Sequence, residues 1–210
     1  MSSLQKILIT LLSLLALPAL NPLSGQEGTH QVVDMVDLPA ELNQNRQSGC
    51  KVEFMERWIL NKATFSMSKK VDAYRISCED SSEAVLPAEG ELRIKNISYE
   101  FSFLDLQQEA MPMIREEKVL KLQKDFIALI TARNPLPEFY DPPQQLLSVY
   151  FHEDWTYDAD RQVISKRVKG ITPIIWQQRQ TVDGKPVHDA STGYPVYYKL
   201  RLEQIELRQP

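Results

Sequence analysis

The chain has 210 residues, 43% hydrophobic and 25% charged, with 7 Gly, 2 Cys and 3 His. That balance excludes a disordered, collagen-like or disulfide-dense chain, and its length allows one domain or two small halves. A formal net charge of −4 excludes a surface built to neutralise nucleic-acid phosphates.

The first segment reads as a secretory signal peptide over 1–25. Lys6 precedes the apolar run Ile7 to Leu17, and Pro18, Pro22, Ser24 and Gly25 follow. The run is about 11 residues, short of the roughly 20 that cross a bilayer, and no other stretch reaches that length, so no transmembrane span is expected. Cleavage after Gly25 removes one charge, Lys6, and places the chain in the periplasm. Residues 26–49 show no sustained period and read as an N-terminal arm.

Residues 50–133 read as a first β-unit followed by a helix. Glu53 to Leu60 and Thr64 to Ser77 form a predicted hairpin around Asn61-Lys62-Ala63, which places Cys50 opposite about Tyr74 and within a few residues of Cys78. In an oxidising compartment that pair is expected to close a disulfide, stabilising the fold by about 3–4 kcal/mol on the chain-entropy estimate. A third strand, Glu91 to Phe103, slips phase near Asn96. The helix runs from near Pro112 to Arg133, with Val119, Leu122, Phe126 and Leu129 on one stripe widened by Leu120, Ile127 and Ile130. Asn134-Pro135-Leu136-Pro137 stops it and opens a Pro-rich linker over 134–143.

The second β-unit, 144–210, repeats the first. The segment from Glu56 lies without gaps on the segment from Glu153, matching Trp58 to Trp155, Ser68 to Ser165, Lys69 to Lys166 and Val71 to Val168 at a constant offset of 97 residues. Leu147 to Tyr157 and Gln162 to Trp176 make its hairpin around Asp158-Ala159-Asp160, and Asp183-Gly184 supplies a further tight turn. Its third strand, Tyr194 to Leu207, carries a predicted bulge near Glu203. The expected fold is therefore α+β: two duplicated antiparallel units, each a hairpin plus a third strand, joined by one amphipathic helix.

Chemistry-bearing motifs are scarce. No Gly-x-Ser-x-Gly elbow, phosphate-binding Gly-rich loop or His-Glu-x-x-His occurs, and no cofactor is expected. His152 and Asp154 flank Glu153 on a strand and lack a third ligand nearby. Asp158 and Asp160 have the composition of a β-turn, and Arg161, Lys166, Arg167 and Lys169 read as a solvated strand edge. Trp155, at a strand end, is placed to cap the core while its indole N–H reaches a backbone acceptor. Gly170 signals a bulge or a close backbone approach, and Pro173 an edge strand, with Tyr197 and Tyr198 beside it as a docking strip.

The residues Glu153, Asp154, Trp155, Tyr157, Asp158, Arg167, Gly170, Ile171 and Pro173, continued by Gly193, Tyr194, Pro195 and Tyr197, carry a resemblance. Over about Tyr150 to Leu200 the chain resembles the gliding-motility protein N family of the type 9 secretion system. The resemblance implies a non-enzymatic periplasmic component that associates with an outer-membrane lipoprotein in large homo-oligomeric rings. The alternative from the residues alone is an exported small-ligand or glycan-binding module using Trp155, Tyr157, Tyr194 and Tyr198 as an aromatic face.

Overall fold

A computed structural model describes residues 27–46, 49–79, 83–103, 112–133 and 146–208, the side chains of Glu27 and residues 112–115 apart. The expected signal peptide and the Pro-rich linker lie outside the described residues. The elements in chain order are β1 (Glu27–Asp37), β2 (Cys50–Asn61), β3 (Ser66–Cys78), β4 (Glu91–Ser102), α1 (Pro112–Thr131), β5 (Leu146–Asp158), β6 (Val163–Gln178), β7 (Tyr197–Arg201) and β8 (Ile205–Glu206). All strands join one antiparallel sheet in the order β1-β2-β3-β6-β5-β4, with β7 and β8 also paired to β6. The described fold is thus largely β with a single helix, rather than α+β.

Within the segment read as an arm, Glu27–Asp37 forms β1, paired with β2 along its whole length. Val32, Asp34 and Val36 alternate inward, and it is the buried aspartate in that series that hides the period-2 hydrophobic pattern. The expected hairpins are present, with a different register in the first. Four residues, Lys62 to Phe65, connect β2 to β3, and Phe65 takes a left-handed φ of 56°. The longer loop and a bulge at Met55/Glu56 bring Cys50 directly opposite Cys78, where the disulfide forms. The third strands depart from expectation in one unit. β4 pairs with β5 and not with β3, so β1 is the third strand beside β2 and β3. Periodicity identifies a strand but is silent about which neighbour it chooses, and the preference for pairing with the nearest strand in sequence points the wrong way here. Where a bulge is expected near Glu203 the strand is instead interrupted between β7 and β8, and the slip near Asn96 is a bulge between Ile94 and Ile97, with Asn96 at φ 62°.

The β3–β6 seam carries a single ladder pair, Lys69 opposite Lys166. About that seam the inner faces of β2 and β5 approach each other: Phe54 meets Trp155 at 5.1 Å and Trp58 meets Phe151 at 5.0 Å, both edge to face. α1 covers one end of this interior with the stripe read from its sequence. Val119, Leu122, Phe126, Leu129 and Ile130 are buried in the cluster that holds Trp58, Phe103 and Phe151, each stabilising the fold by about 1.5–3 kcal/mol as apolar side chains leave water. Asp125 on the helix meets His30 of β1 at 2.7 Å, and Gln123 Nε2 donates to the Leu146 carbonyl at 2.8 Å.

Candidate functional site

Five ionisable side chains converge where β2, β3, β5, β6 and the inner face of β1 meet: Asp34, Glu56, Lys69, Glu153 and Lys166, all buried. The pairs are exchanged between hairpins. Lys69 on β3 meets Glu153 Oε1 on β5 at 2.8 Å, whereas Lys166 on β6 pairs with Glu56 on β2. Each glutamate also accepts the indole N–H two residues on, from Trp58 to Glu56 at 2.7 Å and from Trp155 to Glu153 at 2.8 Å. The two ammonium groups lie over aromatic faces, Lys69 at 3.3 Å from the Phe151 ring centre and Lys166 at 3.5 Å from that of Phe54. Lys69 Nζ further donates to the Tyr99 hydroxyl at 2.6 Å, which donates to Glu153 Oε2 at 3.2 Å.

Glu56, Trp58 and Lys69 fall on Glu153, Trp155 and Lys166 at the 97-residue offset, whereas Asp34 falls on Thr131 and has no counterpart in the cluster, and features that shape the backbone follow the same offset. Bulges fall at Met55/Glu56 and His152/Glu153, left-handed residues at Phe65 and Gln162, and loop-capping side chains at Asn61 and Asp158, whose Oδ1 atoms accept backbone N–H groups of the turns that follow.

Burial sets the electrostatics. Three carboxyl groups face two ammonium groups, and burial raises the pKa of Asp34, whose Oδ2 lies 3.9 Å from Lys69 Nζ. Burial acts the same way on Glu153, but Lys69 and Lys166 outweigh it and hold that carboxyl below its ordinary value. Lys166 is pushed down, first by burial and then by Lys69 beside it. The Tyr99 hydroxyl is pushed well above its usual value by burial and by the carboxylates around it. Both lysine side chains are fully enclosed, and their ion pairs tie the two hairpins together.

The structure separates the residues singled out in the sequence. Glu153 and Trp155 belong to the buried cluster, and the Trp155 indole donates to a carboxylate, correcting the backbone acceptor expected for it. Lys166 is inside and not on a solvated edge, while its neighbour Arg167 is exposed. Tyr157 is buried beside Tyr74, whose hydroxyl burial and Tyr157 push up to about 12. Asp154, on the opposite face from Glu153, joins two bulges: its Oδ1 accepts the Asn96 N–H at 2.9 Å and meets Lys169 Nζ at 3.0 Å. Gly170 is a close approach, since a Cβ there would stand 2.8 Å from the Ile205 carbonyl oxygen.

Pro173 does not mark an edge. β6 is flanked by β5 on one side and by β3, β8 and β7 in turn on the other. Its carbonyl accepts from Leu202 N at 2.9 Å, and its missing N–H points the same way, into the break between β7 and β8 where no ladder partner is needed. Tyr194, Tyr197 and Tyr198 are exposed, but Trp155 is 1% and Tyr157 3% exposed, so these rings do not share one face. Asp34, Glu56, Lys69 and Tyr99 were not marked as a site in the sequence. For Glu56 and Lys69 the signal was present in the repeat, which keeps Glu, Trp and Lys at inward positions; Asp34 and Tyr99 lie outside it.

A second feature is a groove of about 390 Å³ between β1 and β4, the strands that end the sheet path among the described residues, lined by Met35, Val36, Asp37 and Lys51 on one side and by Ile97 to Glu100 and Tyr150 on the other. Among the described residues no group of three or more His, Cys, Asp or Glu side chains could hold a metal ion, and no helix is long and apolar enough to cross a membrane. Comparison with protein-family profiles, with curated proteins and with solved structures finds no match to the chain.

Proposed function

We propose that this chain is an exported, non-enzymatic assembly component of the cell envelope, periplasmic and associated with the outer membrane, in an apparatus of the type 9 secretion and gliding-motility kind. The observation that carries the reading is the use of the charged motif. Glu153 and Trp155 are spent on an interior lock with Lys69, which leaves sheet edges and the exposed tyrosines around β7 as the parts that can act on another molecule. A disulfide closing the base of the first hairpin supports an oxidising compartment.

The reading includes an internal duplication of three-stranded units, β1-β2-β3 and β4-β5-β6, centred on the Lys69–Lys166 pair. It is supported by the common offset of the ion pairs, bulges, left-handed residues and loop caps. Partners of the expected kind are envelope proteins, an outer-membrane lipoprotein first among them, and further copies of this chain. The test is fractionation of the producing cells with mild cross-linking. The protein is expected with outer-membrane proteins, and recovery only as a free periplasmic monomer overturns the proposal.

A further inference from the structure

The groove between β1 and β4 is bounded in an unusual way. Successive side chains of a strand point to opposite faces, so a pocket on a sheet face is lined by every second residue. Here consecutive residues line it, Met35-Val36-Asp37 from β1 and Ile97-Ser98-Tyr99-Glu100 from β4. Both strands therefore present their edges to the groove. Among the described residues β1 pairs only with β2 and β4 only with β5, and they end the sheet path. Each edge offers outward N–H and C=O groups at every second residue.

Edge strands are usually guarded by Lys, Arg, Pro or a bulge. β4 is guarded, with Arg93, Lys95 and the bulge at Asn96. β1, of sequence EGTHQVVDMVD, contains no Lys, Arg or Pro, its register with β2 is unbroken, and its inward charge, Asp34, faces Lys69 in the interior. It also exposes apolar side chains on its outer face, Val33 at 47% and Met35 at 54%, beside Met55 of β2. That patch is rimmed by the surface pairs Arg57–Asp72 and Arg75–Glu53, an arrangement typical of contact surfaces.

We infer that the β1–β4 groove binds an extended peptide segment of a partner protein, which adds to the β1 edge as a further strand. The occupant follows from the chemistry of the walls: alternating backbone donors and acceptors are matched by another extended backbone. The lining accommodates three or four residues, about 10–13 Å of strand. Asp37 and Glu100 against Lys51 make the groove walls acidic by one charge, which favours a neutral or basic residue at the centre of the segment. The inference deepens the assembly reading by naming the surface that would take a partner.

The probe is a fluorescein-labelled nonapeptide of alternating Thr and Val, measured by anisotropy against the processed, oxidised chain. Comparison peptides carry Lys or Glu at the centre or N-methyl groups on alternate amides. Saturable binding is expected, with a dissociation constant on the order of 100 μM for an unselected sequence. The Lys peptide should bind more tightly than the Glu peptide, and the N-methylated one about tenfold more weakly than its parent. The variant M35K/S98K places guards on two exposed edge positions and should lose binding to a similar degree with its melting temperature unchanged.

Equal binding of the N-methylated peptide, undiminished binding by the folded double variant, or no saturable binding overturns the inference. If the double variant fails to fold, the N-methyl comparison on the unaltered chain decides. A concentration-dependent dimer in sedimentation that M35K/S98K abolishes would also overturn it, by assigning the edge to a second copy. Failure here with outer-membrane association intact removes this surface alone, whereas loss of that association removes the assembly reading.

Discussion

Replacing Lys166 by Met removes an ammonium group from a side chain that is fully enclosed, together with its contacts to the rings of Phe54 and Trp155. The methionine fills nearly the same volume, so the main cost is the stranded carboxylate. Glu56 keeps the Trp58 indole on Oε2 and retains Lys69 only at 3.9 Å, with Oε1 facing nothing. Breaking a buried pair from one side costs about 3–5 kcal/mol, and the residual contact to Lys69 places this case near about 3 kcal/mol. In a domain of this size that corresponds to a melting temperature lower by about 6–12 °C.

The double variant K166M/E56Q removes the stranded charge while Gln still accepts the indole N–H. It should recover most of the deficit, leaving about 1 kcal/mol. Urea unfolding followed by tryptophan fluorescence reports on both, because Trp58 and Trp155 adjoin the cluster. Equal losses in the single and double variants would refute the reasoning, since the cost would then come from packing and not from an uncompensated charge.

The corresponding pair on the other side predicts a matching result for K69M and K69M/E153Q in the same urea assay. The disulfide spans 28 residues in sequence, so C50A/C78A should lower unfolding stability by about 3–4 kcal/mol on the chain-entropy estimate, read as a shifted urea midpoint against the oxidised parent. Gly170→Ala drives a methyl into the backbone of β8; a loss of about 1–3 kcal/mol is expected, with faster amide exchange at Ile205 to Leu207 measured by mass spectrometry. Asp34 and Glu153 make opposite contributions to pH dependence. The raised pKa of Asp34 gives stability that is present below its unfolded value and lost as pH rises through its folded one, so D34N should gain on the parent as pH rises from acid to neutral. The lowered pKa of Glu153 gives stability present above its unfolded value and lost as pH falls through its folded one, so E153Q should flatten the acid limb of the melting curve.

The two hairpins, the helix stripe, the bulge at Asn96 and the cystine were legible because each has a local cause. Val119 to Ile130 repeats at helical spacing and is buried as that spacing requires, and Asn96 breaks an alternating pattern that can only be mended by a bulge. What was hidden depended on distant partners. Asp34 broke the inward apolar series of β1, and its burial makes sense only once Lys69 is known to lie beneath it. Lys166 sits in a basic stretch with Arg167 and Lys169 and differs from Arg167 by pointing inward, which is set by the register with β5. Pro173 signalled an edge from its missing donor, yet that donor falls opposite a gap in the β7–β8 ladder. The neighbour chosen by β4 depends on where Tyr99 and Phe101 find aromatic partners, in Trp155, Phe151 and Trp58.

An interior of five ionisable groups is a poor way to gain stability, because each must leave water and a hydrophobic replacement often does better. Its use here follows from the seam it occupies. β3 and β6 share one ladder pair, Lys69 with Lys166, and Arg208 N past β8 donates to the Phe65 carbonyl at 3.0 Å, which leaves the two hairpins few backbone bonds against sliding. The exchanged ion pairs remove that freedom: a slip of one residue along β6 would turn Lys166 to solvent and leave Glu56 buried alone. The close cation of each glutamate comes from the other hairpin, Lys69 for Glu153 and Lys166 for Glu56, while Lys69 stands 3.9 Å from the Glu56 of its own hairpin. The charges thus pin the two hairpins to each other at the seam.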